Sequence, residues 1–121
     1  MKKLVIIGLA LFLTAGMIFA QQQQRFKNGN FTATVDNSYD PKIHEPSGSM
    51  TVRATFRGNR ITQIVVTKHT DTASFLKLAS DSIIPAIIAE QNTEVDTVAG
   101  ATYSSQALID AVNDAMEQAR R

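Results

Sequence analysis

The stretch VDTVAGATYSS, Val95 to Ser105, sets a carboxylate, Asp96, a bare turn, Ala99-Gly100-Ala101, and a hydroxyl, Thr102, close together. A threonine hydroxyl is a poor nucleophile without a neighbouring base. The two histidines, His44 and His69, both lie far from it in sequence. A helical pattern follows, and Ser104 and Ser105 are both competent N-caps for it. Backbone N–H groups and the positive end of the helix dipole converge at such a start, and that geometry favours a phosphate. Gly100 permits positive φ or close approach of a ligand to the backbone, and Ala101 adds little bulk. Residues 99–105 therefore read as a hydroxyl presented beside a phosphate-friendly amide cluster. The same residues also describe an ordinary capped turn. Tyr103 reads as a half-buried packing residue, with stacking on a ligand ring as the alternative. Asp96 reads as a turn-capping carboxylate.

The elements that must position this stretch are strands followed by helices. Phe31–Val35 alternates apolar and polar, and so does Met50–Arg57. Between them, Asp36–Ser49 is rich in Asn, Asp, Ser, Pro and Gly, which reads as a loop. Gly58-Asn59 is a two-residue hairpin signal, and Ile61–Lys68 is the return strand. Its phase slips between Ile61 and Ile64, which predicts a bulge or a strand buried on both faces. Phe75, Leu76, Ala79, Ile83 and Ile87 form a helical stripe over residues 73–91. Pro85 predicts a break there, with Asp81 or Ser82 capping a second segment. The last helix, residues 106–120, carries Leu108, Ala111, Val112, Ala115 and Ala119 on one face, the pattern of an amphipathic surface helix. The expected class is α+β: one small domain, its sheet mostly antiparallel or mixed, with two to three packed helices.

The chain has 121 residues, enough for one domain. Residues 1–20, MKKLVIIGLALFLTAGMIFA, show a basic start, an apolar run and small residues near Ala20. That is the pattern of a secretory signal peptide cleaved after about Ala20; an uncleaved anchor is the rival reading. Residues 21–29 read as a flexible polar spacer and 30–121 as the domain. Cleavage would leave 10 basic and 11 acidic residues. Such a chain has no electrostatic footprint for nucleic acid. Cysteine is absent, which excludes disulfides, c-type haem attachment, iron–sulfur clusters and a Cys-ligated copper. Asp36, Ser38 and Asp40 space like the start of a calcium loop. Pro41 and Ser47 stand where that loop requires Gly and Glu, so calcium is not expected. No metal site is expected elsewhere.

Asp96, Gly100, Ala101 and Thr102, with the helix that follows, resemble the motif of the FMN-binding domain family. This is the domain of the C and G subunits of sodium-pumping and ferredoxin-linked respiratory complexes, also found as small exported proteins. The similarity runs from about Gly29 to Ala119, and the hairpin RGNRITQIVV resembles the family's strand pair. The resemblance implies an electron-transfer domain, not a catalyst, carrying FMN on Thr102 through a phosphoester bond. It implies a flavin transferase, dependent on FAD and Mg²⁺, as the enzyme that attaches it. It also implies a redox partner protein, a membrane-bound one included, and an exported, periplasmic or extracellular location. The implied cofactor-binding residues are Asp96, Ala99, Gly100, Ala101, Thr102, Tyr103, Ser104 and Ser105. His69, Asp71 and Thr72 join them because Lys68–Thr72 resembles the family's His-x-Glu-Thr segment. Ala99 departs from the Ser or Thr common there, and Asp71 from the Glu. Two alternatives stay open: a reversible FMN or ligand sensor or scavenger, and a cofactor-free interaction domain.

Overall fold

Gly58 and Asn59 form the expected turn, with φ of 59° and 65°. Both central residues of a type I′ hairpin need positive φ, which Gly and Asn tolerate best. The turn is one corner of a computed structural model that describes residues 25–42 and 45–121. Three antiparallel strands, β1 (Gly29–Asp40), β2 (Glu45–Arg57) and β3 (Arg60–His69), pair in the order β1-β2-β3. Helices α1 (Ala73–Glu90) and α2 (Thr102–Ala119) follow, and both pack on one face of the sheet. The expected leader, residues 1–20, lies outside the described residues. No described helix is long and apolar enough to cross a membrane.

Asp36–Ser49, expected as a loop, is mostly strand. β1 runs on to Asp40, and β2 begins at Glu45. Turn-forming side chains dominate the composition, but pairing is a backbone property. Two register shifts, between Val35 and Ser38 and between Ser38 and Asp40, absorb the irregularity. The phase slip in β3 is a bulge at Thr62: Gln63 faces Thr55 while Ile61 faces Phe56. The extra residue lets Ile61 and Ile64, three apart, both turn into the core.

The core lies between sheet and helices. Met50, Val52, Ala54, Phe56, Ile61 and Ile64 meet Leu76, Ala79, Ile83 and Ile87 of α1 and the buried side of α2. On α2, Ala107, Ala111, Ala115 and Ala119 recur every fourth residue and are all fully buried. Small side chains in one row let that helix lie close to β1 and β2. The core also reaches back to Phe26, inside the stretch read as spacer. Its ring lies 4.8 Å from that of Phe56, and its N–H donates to Asn59 Oδ1 at 2.7 Å.

The predicted break at Pro85 does not occur; α1 is continuous through it. Pro85 is exposed, so its ring projects into solvent, while Ile83 and Ile87 pin the helix on its buried side. Asp81 pairs with Lys77 at 2.8 Å instead of capping a second segment. The helix ends at Gln91, φ 61°. Its amide side chain accepts from Ile61 N–H at 2.8 Å and donates to Ile61 C=O at 3.0 Å, tying the helix end to the start of β3. Proline still removes one bond from an exposed turn. Pro85→Ala is therefore expected to stabilise the fold by about 1–2 kcal/mol, seen as a rise of several degrees in Tm.

Candidate functional site

The loop after α1 returns along that helix and delivers Thr102 to the start of α2. Gly100 makes the last reversal with φ 85°. A Cβ there would meet nothing within 4 Å, so glycine is required by the backbone and not by space. Gly100→Ala is expected to cost about 1–2 kcal/mol in urea unfolding, from the left-handed backbone alone.

α2 begins at Thr102 itself, with Ala101 at the N-cap position and no side-chain cap. This corrects the assignment of the N-cap to Ser104 or Ser105. Both serines are buried inside the first turn, and Ser105 Oγ accepts from Val98 N–H at 3.0 Å. Ser105 N–H donates to Ala101 C=O at 2.9 Å, and Ala101 N–H to Val98 C=O at 3.0 Å. The serine hydroxyl thus spends its capacity on fixing the loop. Thr102 stays exposed at the helix tip, where first-turn N–H groups point outward.

Phe75 of α1 and residues Gly100, Ala101, Thr102, Tyr103 and Ser104 line one cleft of about 90 Å³. Five of the residues singled out in the sequence thus come together. Phe75 was read as part of the buried stripe, but it is 42% exposed. Leu76, Ala79, Ile83 and Ile87 already complete that stripe without it. A large aromatic beside a complete stripe was the available signal. Tyr103 is 52% exposed, with part of its ring on the cleft.

Asp96 and Ala99 are exposed on the loop; Asp96 lines an adjoining groove together with Glu90 and Glu94. His69 is exposed at the end of β3 and pairs in register with Met50. Thr72 occupies the N-cap position of α1, and its C=O accepts from Phe75 and Leu76 N–H. Asp71, between them, is buried to 7% exposure, and neither carboxylate oxygen has a hydrogen-bond partner among the described residues. Leaving such a group unsatisfied is costly, so a fold keeps one where something else uses it. Among the described residues, no three His, Asp or Glu side chains gather as a metal site.

The α+β domain presents the Thr102 hydroxyl at a helix tip. The model of the FMN-binding domain family matches residues 47–117, more than half of the chain. The chain belongs to the FMN-binding domain family. An uncharacterised protein of Treponema pallidum (strain Nichols) is 31% identical over 83 residues, covering 69% of this chain and 23% of that protein. The NADH:acrylate oxidoreductase of Vibrio harveyi is 33% identical over 73 residues, covering 60% of this chain and 7% of that enzyme. The chain thus spans less than a quarter of either relative. Family membership and the second relative support FMN as the ligand and electron transfer as the setting.

Proposed function

We propose that this chain is an exported flavoprotein electron carrier, with FMN joined to Thr102 by a phosphoester bond that a separate flavin transferase makes. The observation that carries the reading is the position of Thr102. It is exposed at the first residue of α2, behind a positive-φ glycine, in a cleft with an aromatic wall.

The residues fit the group. The first turn of α2 suits the phosphate, Gly100 and Ala101 let it approach, and Phe75 and Tyr103 offer apolar surface to the ring. Asp71, just ahead of the N-cap of α1, holds two unsatisfied acceptor oxygens, and an oxidised isoalloxazine presents one N–H donor. His69 and Thr72 flank it on the same connection, where we place them at the edge of the flavin site. When bound, the isoalloxazine supplies the electron transfer.

In the attachment step, Thr102 Oγ bonds to the phosphorus on the FMN side of FAD. The pyrophosphate bond breaks, AMP leaves, and the hydroxyl proton goes to a base of the Mg²⁺-dependent transferase. On this reading the chain needs no base of its own beside Thr102. Asp96 and the Gly-Ala turn then act as the loop that the transferase reads.

A cleft of about 90 Å³ is far below the roughly 300–1,000 Å³ of sites that enclose small ligands. So small a cleft suits a cofactor held by a bond more than one held by burial. Outside the cytoplasm free flavin is dilute, and occupancy of a reversible site falls with concentration. A tether removes that dependence. Mass spectrometry of the protein from a host that holds the transferase tests the reading. The peptide containing Thr102 should carry the FMN mass, and an unmodified peptide would overturn it.

A further inference from the structure

Among the described residues, Phe75, Leu78 and Tyr103 are the large apolar side chains left most exposed, at 42%, 48% and 52%. Two of them wall the cleft that holds Thr102, and Leu78 lies one turn further along α1. Isolated exposed apolar residues are ordinary, but a group gathered around one cleft marks a contact surface.

The segment that carries this group is predominantly acidic. From Asp71 to Ala119 the chain holds eight acidic residues and one basic residue, Lys77. Lys77 is engaged by Asp81 at 2.8 Å, and its ammonium is held above the usual lysine range by that hydrogen bond and by the carboxylate's charge. From Ser49 to Thr70, by contrast, there are four basic residues and no acid. The helical layer is negative and the β2–β3 hairpin positive. Beyond the apolar group, a groove continues along α1 past Ser82, and Glu90, Glu94 and Asp96 line it. All three are exposed, and none forms an ion pair among the described residues.

We infer that the end of the molecule bearing Thr102 docks a protein partner with an apolar contact set among lysine or arginine side chains. Phe75, Leu78 and Tyr103 form the centre of the contact, and Glu90, Glu94 and Asp96 form its acidic flank. Such an arrangement, an apolar centre with a polar rim, is the ordinary anatomy of a protein interface. The acidic flank steers a basic partner and sets its orientation. It repels an anionic lipid surface and nucleic acid alike. The contact stands without the flavin reading; only the passage of electrons across it rests on that reading.

The test titrates the ¹⁵N-labelled protein with mitochondrial cytochrome c, a basic redox protein, at low ionic strength, and maps amide shifts. The expected shifts fall on Phe75, Leu78, Ser82, Tyr103 and residues 94–98. Affinity should fall about tenfold in the Glu90→Gln/Glu94→Gln/Asp96→Asn variant and on raising salt to physiological strength, where screening acts within about 8 Å. Phe75→Ser/Leu78→Ser should weaken binding at every salt concentration. Rubredoxin, an acidic redox protein, should produce no shifts. The titrated protein is made in a host without the transferase and carries no flavin, so failure of the flavin reading leaves this contact intact. Shifts centred on the outer face of the sheet, an equal response to rubredoxin, or unchanged affinity in the charge variant would overturn the inference.

Discussion

Thr102→Ala protein should fold as the parent does and carry no flavin that survives denaturation. Thr102 is exposed, and its side chain caps nothing. Alanine is the best helix former, so at the first position of α2 it costs little. Exposed substitutions of this kind usually stay within about 0.5 kcal/mol. The effect on the cofactor is all-or-none, because the atom to be esterified is removed. Thr102→Ser keeps a hydroxyl at the same Cβ and should retain part of the yellow colour. The readout is absorbance of the protein after acid precipitation and redissolution in denaturant. Bound colour in the alanine variant would move the attachment to another side chain. Colour lost from the parent under the same treatment would mean that the ligand is held reversibly.

Phe56→Ala should produce the largest loss of stability, about 3–5 kcal/mol by urea or thermal unfolding. The side chain is fully buried in the middle strand and is among the largest in the core. Its ring meets Phe26 at 4.8 Å and Phe31 edge-on at 5.7 Å. Such pairs add roughly 0.5–1.5 kcal/mol beyond the area they bury. Truncation empties a space that three elements share, and a rigid sheet cannot close it. Domains of this size hold only about 5–15 kcal/mol in all. The variant should therefore sit close to its unfolding threshold. Phe31→Ala, at a partly buried site, should cost visibly less.

The hairpin and the core were legible because their signals are local and periodic. Gly58-Asn59 carries its own φ requirement, and the slipped phase of Ile61 and Ile64 pointed to a bulge or a two-sided strand, of which the structure has the bulge, at Thr62. The path of residues 36–49 was not legible. There Ser38 and Gly48 pair through backbone atoms, which no side-chain composition reveals. Pro85 misled for a related reason. A proline forbids one hydrogen bond, but burial of Ile83 and Ile87 on the opposite side holds the helix together. At the site, Gly100, Ala101 and Thr102 were evident as a turn bearing a hydroxyl. Phe75 was not, because its partner across the cleft lies on another helix. The burial of the Asp71 carboxylate was equally invisible, since burial belongs to the fold and not to the residue.

The two ends of the packed region lie side by side. Phe26 bridges to Arg120, Lys27 N–H donates to Ala119 C=O at 2.7 Å, and Arg121 N–H donates to Arg25 C=O at 3.0 Å. A domain whose entry and exit strands meet behaves as a cassette. It can be spliced into a surface loop of a larger host without stretching either junction, or closed by a short linker and reopened elsewhere as a circular permutant.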